Sequence, residues 1–183
     1  MQEFLLLFWS TGGFDFALEN PATRLNDTVF DVDIITGDLI PIGPTKELSN
    51  SEVMPDIVLR YNGKMGDLGW SLAAIGRELS YDKRDSDNVQ SSDDSTFGYG
   101  LSLAGKWMLG RDDIRFMFNY GNALGRYMGV VAFEDGYIDA DGDIDTFDQW
   151  GGFIAYRHLW SDHWRSNFSI SMAQADNPSS RDA

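Results

Sequence analysis

The sequence predicts an all-β chain, an antiparallel up-and-down sheet of the kind that closes into a transmembrane β-barrel. Three observations carry that reading. Apolar residues recur with a period of two along most of the 183 residues. The segments with that period are joined alternately by tight turns and by long polar links. The parity opposite the bulky residues is mostly Gly, Ser, Ala, Asn and Gln, which suits a crowded polar interior better than a free aqueous surface.

The strands read at about 3–10, 13–20, 55–62, 67–80, 96–109, 112–120, 147–158 and 163–173. In 97–109, FGYGLSLAGKWML, the residues Phe97, Tyr99, Leu101, Leu103, Trp107 and Leu109 share one parity; Gly98, Gly100, Ser102, Ala104 and Lys106 share the other. Ile57, Leu59 and Tyr61 oppose Asp56, Val58 and Arg60. Ile114, Phe116, Phe118 and Tyr120 alternate with Arg115, Met117 and Asn119. Trp150, Gly152, Ile154 and Tyr156 oppose Gly151, Phe153, Ala155 and Arg157; Trp164, Phe168, Ile170 and Met172 oppose Arg165, Asn167, Ser169 and Ser171. A sustained helical period is missing, so no helical domain is expected.

The links add a second signal. Residues 11–13, 62–66, 110–111 and 161–162 are short and rich in turn formers. Between them run 21–54, 82–95 and 121–146, long, polar and acidic, read as solvated loops. Sorting short and long links to opposite ends is the habit of outer-membrane barrels, and a soluble meander has no need of it. Tyr and Trp gather near strand ends, at Trp70, Tyr81, Tyr99, Trp107, Tyr120, Tyr127, Trp150, Trp160 and Trp164, where amphipathic rings form interfacial girdles. With the short turns inside the envelope, the first and last strands have their outer ends free. The expectation is therefore that residues 1–183 are part of a larger barrel, about eight strands of about 16.

Composition narrows the function classes. A net charge of −15 argues against a general nucleic-acid binder. There is no cysteine, hence neither a disulfide framework nor a thiolate metal site; this fits an exported envelope protein. No apolar run reaches the roughly 18–20 residues of a membrane-spanning helix, which leaves barrels untouched because only alternate residues meet lipid.

Four segments, in this order, resemble the DcaP-like porins: ALENPATR at 17–24, PDIVLRY at 55–61, GRYMG at 125–129 after the strand DDIRFMFNYG, and YRHLWSDHWRSN at 156–167. They cover strands across most of the chain but none of the long loops. The resemblance implies trimers in the outer membrane of a Gram-negative bacterium. It further implies passive diffusion of small anionic organic solutes such as dicarboxylates, through a barrel of about twice this strand count. The resemblance also implies a longer chain with an N-terminal region that these 183 residues do not match, in keeping with the expectation of a part of a larger barrel.

Parity alone gives the candidate pore-lining residues. Arg60, Arg77, Lys106, Arg115, Arg157 and Arg165 face inward, Arg126 lies just past a strand where it can guard the mouth, and the inward acids are Asp15, Glu19, Asp56 and Asp113. A ladder of cations lowers the barrier for carboxylates; each Arg taken singly can equally pair with an acidic loop folded into the pore. The alternative is a soluble or surface-exposed β-sandwich that binds calcium through Asp139, Asp141, Asp143 and Asp145. That spacing begins like an EF-hand loop but places Ile144 and Trp150 where Gly and the bidentate Glu belong. No enzyme is expected. HExxH, P-loop, dinucleotide and GxSxG motifs are missing, and His158 and His163 merely flank one tight turn. No cofactor is expected; the partners are outer-membrane lipid, anionic solutes and two further copies of the chain.

Overall fold

The computed structural model describes residues 9–11, 13–32, 39–48, 54–84, 90–128, 133–138 and 143–176. Within them the chain is all-β and antiparallel, with one parallel pairing described below. Eight strands form a continuous up-and-down sheet: β1 (Trp9–Thr11), β2 (Phe14–Glu19), β5 (Asp56–Met65), β6 (Leu68–Arg84), β7 (Gln90–Leu109), β8 (Asp112–Asn122), β11 (Asp148–Leu159) and β12 (Arg165–Asp176), each beside the next. Among the described residues β1 and β12 do not pair, so the sheet has two free edges.

Short turns all lie at one end. Gly66 and Gly110 open the turns into β6 and β8 with φ of 59° and 64°, a left-handed backbone that a side chain would strain. At the other end, β3 (Arg24–Val32) and β4 (Leu39–Leu48) interrupt the β2–β5 link, and β9 (Gly136–Ile138) and β10 (Ile144–Thr146) interrupt the β8–β11 link. These four make a second sheet, β10-β9-β3-β4, in which β3 runs parallel to β9 with Leu25 opposite Gly136. The loops expected at 21–54 and 121–146 thus contain strands. Of the loop expected at 82–95, residues 82–84 and 90–95 are strand, because the β6–β7 ladder continues from Tyr81↔Asp94 to Arg84↔Gln90.

The register fixes which residues share a face. Asp15, Arg60, Ala73, Ser102, Asn119, Gly151 and Ala173 follow one another across the sheet, and all lie on the small-residue parity. That face, here called inner, carries a buried hydrophobic cluster: Leu79 and Tyr81 of β6 with Leu25, Ala123, Ile138 and Ile144. The other face is bulky and open. Leu101 is 53% exposed, Ile154 51% and Leu103 44%. Rings cover glycines of adjacent strands, Trp70 over Gly63 and Phe116 over Gly105, and fill the outer face where side chains are missing.

Most aromatic residues expected at interfaces stand on this outer face. Trp70 and Trp107 lie toward the short turns, with Trp160 and Trp164 beyond them; Tyr99, Tyr120 and Trp150 lie toward the other end. Tyr81 and Tyr127 do not: Tyr81 is buried on the inner face, and Tyr127 sits in a turn folded over that face. From Trp107 to Tyr99 is eight residues of strand, roughly 27 Å at ~3.4 Å per residue and about 20 Å once strand tilt is allowed for. That is close to the height of the apolar band on outer-membrane barrels, about 25 Å.

Candidate functional site

Two structures occupy the inner face: a turn latched to the wall at the long-link end, and a basic belt toward the short turns.

The latch is built from the segment after β8. Ala123, with φ of 55°, turns the chain inward. Leu124 then lies over Gly100 and Gly121, and Met128 over Gly151. A Cβ on Gly100 would sit 2.6 Å from Leu124 Cδ2, so the glycines of this parity make room for the turn. Arg126 and Tyr127 reach back to the wall. The Tyr127 hydroxyl donates to Asp56 Oδ2 at 2.6 Å and lies 3.1 Å from Glu19 Oε2. Arg126 Nη1 donates to the Asn20 carbonyl at 2.5 Å and stands 3.7 Å from Asp56. Burial and the Asp56 carboxylate push the Tyr127 hydroxyl well above its usual range, so it stays a donor.

Arg77 locks the arrangement. Its side chain is fully buried, with Nη1 donating to the Ala123 carbonyl at 2.8 Å and to Asp135 Oδ1 at 2.9 Å. Nη2 donates to the Ala22 carbonyl, and Nε stands 3.6 Å from Asp56. One guanidinium therefore ties together β5, β6, the segment after β2 and the segment after β8. Asp135 also accepts from the Arg24 backbone N–H at 3.0 Å. Burial nonetheless pushes its carboxyl up to about 6, against the opposing pull of Arg77 and backbone N–H donors. Arg77 lies on the expected face, but both of its terminal nitrogens are committed to protein acceptors and its Nε faces the Asp56 carboxylate.

The basic belt is open. Lys64, Lys106 and Arg115 lie on one cross-strand row, linked through Gly69, with Lys106 and Arg115 directly opposite one another. Like charges in register cost free energy, so the pair is not there for stability. Lys64 and Lys106 are exposed, and Arg115 is half-exposed, its Nε 2.8 Å from Asp113 Oδ1. One row nearer the turns, Arg157 pairs with the buried Asp113. Two rows the other way, Arg60 bonds Asp15 at 2.8 Å. Arg165 stands exposed at the start of β12. Between the short turns and the Arg60 row, the described inner-face strand positions hold six cations, Arg60, Lys64, Lys106, Arg115, Arg157 and Arg165, against two carboxylates, Asp15 and Asp113.

The structure thus separates the candidates drawn from sequence. Arg60, Lys106, Arg115, Arg157 and Arg165 share the belt; Arg77 and Arg126 belong to the latch. Lys64 was missed because it was assigned to a turn, whereas β5 runs on to Met65. Asp139 and Asp141 lie outside the described residues. Asp145 accepts from the Tyr137 hydroxyl at 2.8 Å, and among the described residues no group of three or more His, Cys, Asp or Glu is placed to hold a metal. His158 faces outward, its Nδ1 2.8 Å from Asp112 Oδ2, and helps fasten β11 to the start of β8.

No family model, no curated protein and no solved structure matches the chain.

Proposed function

We propose that the chain is channel wall: part of a β-barrel in the outer membrane of a Gram-negative bacterium, through which small anionic organic solutes diffuse past the basic belt. The observation that carries this reading is the pairing of two opposite faces on one sheet. The outer face is apolar, open and ringed near both ends by Trp and Tyr, a surface suited to lipid. The inner face is mostly small and polar, and in a chain of net charge −15 its belt is nevertheless cationic. Such a belt attracts carboxylates and repels cations.

A sandwich reading requires a second sheet over the bulky face. The second sheet instead packs on the small-residue face, at one end. The free edges of β1 and β12 also bear on the proposal, since hydrocarbon does not tolerate unpaired backbone donors and acceptors. In the membrane these edges need partners, which the further strands of the proposed larger barrel supply. The resemblance to DcaP-like porins supports a trimer and dicarboxylates among the solutes.

Ion selectivity in a planar lipid bilayer tests the proposal. The native protein is expected to pass chloride in preference to potassium, and Lys106→Glu with Arg115→Glu is expected to reverse or flatten that preference. Unchanged selectivity in the double variant would remove the belt from the mechanism. A protein that never raises bilayer conductance would remove the channel.

A further inference from the structure

We infer that the inner wall also carries a binding site for monocarboxylic acids with an apolar body, the carboxylate held by Lys106 and Arg115 and the body laid against Met117 and Phe153; this rests on the channel reading above. The row next to the belt, on the long-link side, holds Asn62, Ser71, Ala104, Met117 and Phe153. Lys106, Arg115, Met117 and Phe153 line a single depression of about 500 Å³. Phe153 is 37% exposed there, on the face whose strand positions are mostly small or polar. At Met117 the depression meets a second cavity, about 250 Å³, roofed by Leu124 and Met128 and floored by Val58 and Ile75.

An inert aqueous path has no use for an exposed Phe and a half-buried Met beside its cations. A path for inorganic anions would need the belt alone. The juxtaposition suits a ligand that is charged at one end and greasy at the other: guanidinium and ammonium groups take the carboxylate as charge-assisted donors, and Phe with the adaptable thioether of Met covers the hydrocarbon. Two strand residues, roughly 7 Å, separate the belt from the Met117 row, about the reach of a six-carbon acid.

The test is block of chloride current through the native full-length protein in a planar bilayer, using acetate, hexanoate and hexan-1-ol as probes. Hexanoate is expected to block at concentrations at least about tenfold lower than acetate, since four further methylenes are partly covered, and hexan-1-ol is expected to have no effect. Met117→Gln, which keeps the side chain's length, is expected to narrow the hexanoate–acetate gap several-fold and to leave chloride conductance intact, which also shows that the variant is folded. Equal block by hexanoate and acetate in a conducting protein overturns the site and leaves the channel standing. Hexan-1-ol blocking as well as hexanoate overturns it too, because the effect is then one of lipid partitioning. Absence of any anion-carrying conductance overturns the channel reading and the site with it.

Discussion

Replacing Arg77 by Met probes the latch most sharply. The substitution keeps an unbranched chain of similar length and removes every donor. The carbonyls of Ala22 and Ala123 lose their partner, and Asp135 is left buried with its nearest cation gone; Asp56 retains Tyr127 and Arg126. Breaking a buried pair from one side costs about 3–5 kcal/mol. At about 1.4 kcal/mol per factor of ten, that raises the open population of the latch by between about 10² and about 4 × 10³. The cost falls on the contact between turn and wall, because the wall's own ladder does not pass through Arg77's side chain. Hydrogen exchange reads this directly. The Met128 N–H, bonded to the Leu124 carbonyl at 2.9 Å, and the Ala123 N–H, bonded to the Phe147 carbonyl at 3.1 Å, are expected to lose protection by at least about a hundredfold. Amides in the middle of the β8–β11 ladder, such as Phe116 and Ile154, are expected to keep theirs. Adding Asp135→Asn should restore part of the loss at the higher end of the pH range, where the carboxylate left without Arg77 is ionised and the amide is not. Unchanged latch protection in Arg77→Met would refute the reasoning, and so would uniform loss across the whole sheet.

Three further outcomes follow from named contacts. Asp135 has a folded-state pKa raised to about 6 by burial, so the folded latch holds its proton more tightly than the open one. Its contribution to latch stability is therefore present in full below about pH 4 and lost as pH rises through 6; latch opening, corrected for intrinsic exchange, should fall on acidification from pH 7 to 5, and a rise would mean that the Arg77 charge pair outweighs desolvation. Gly100→Val places a side chain where Leu124 already lies; overpacking of about 1–3 kcal/mol should displace the turn at 123–128 while leaving the β-sheet circular dichroism unchanged. Leu103→Arg puts a charge midway along the outer face of β7, and a loss of about 2–4 kcal/mol in folding into lipid vesicles is expected, against almost none for Ser102→Arg on the inner parity.

The main sheet was legible in the sequence because its alternation is imposed locally: each strand has one bulky and one small parity, and turn residues mark the short ends. The second sheet was not. β4 carries Pro41 and Pro44, residues that disfavour a strand interior, and β9 and β10 have only three residues each. What makes these segments strands is remote, the burial of Leu25, Ile138 and Ile144 on Leu79 and Tyr81. The acidic run after Tyr81 read as a loop by charge, yet its backbone continues the β6–β7 ladder. The same limit applies at the site. Parity placed Arg77 on the inner face, but its partner Asp135 lies 58 positions away, and no spacing rule links them. The small residues Gly98 and Gly100 had looked like a polar lumen lining; in the structure they are seats for Leu79, Ala123 and Leu124. GRYMG and ALENPATR, which stood out as separate motifs, turn out to touch each other through Arg126 with Asn20 and Tyr127 with Glu19.

The central claim is that one parity of the sheet meets lipid and the other meets water. The chain has no cysteine, so single cysteines at 101, 102, 103, 104 and 106 of β7 can be introduced one at a time without background. Each is labelled with an environment-sensitive fluorophore in the protein reconstituted into lipid vesicles, then exposed to a membrane-confined and a water-soluble quencher. The expected result is strict alternation: 101 and 103 reached by the membrane quencher alone, and 102, 104 and 106 by the aqueous quencher alone. Aqueous quenching at 101 and 103, with no response to the membrane quencher, would contradict the claim and make the apolar face a protein-covered or soluble surface.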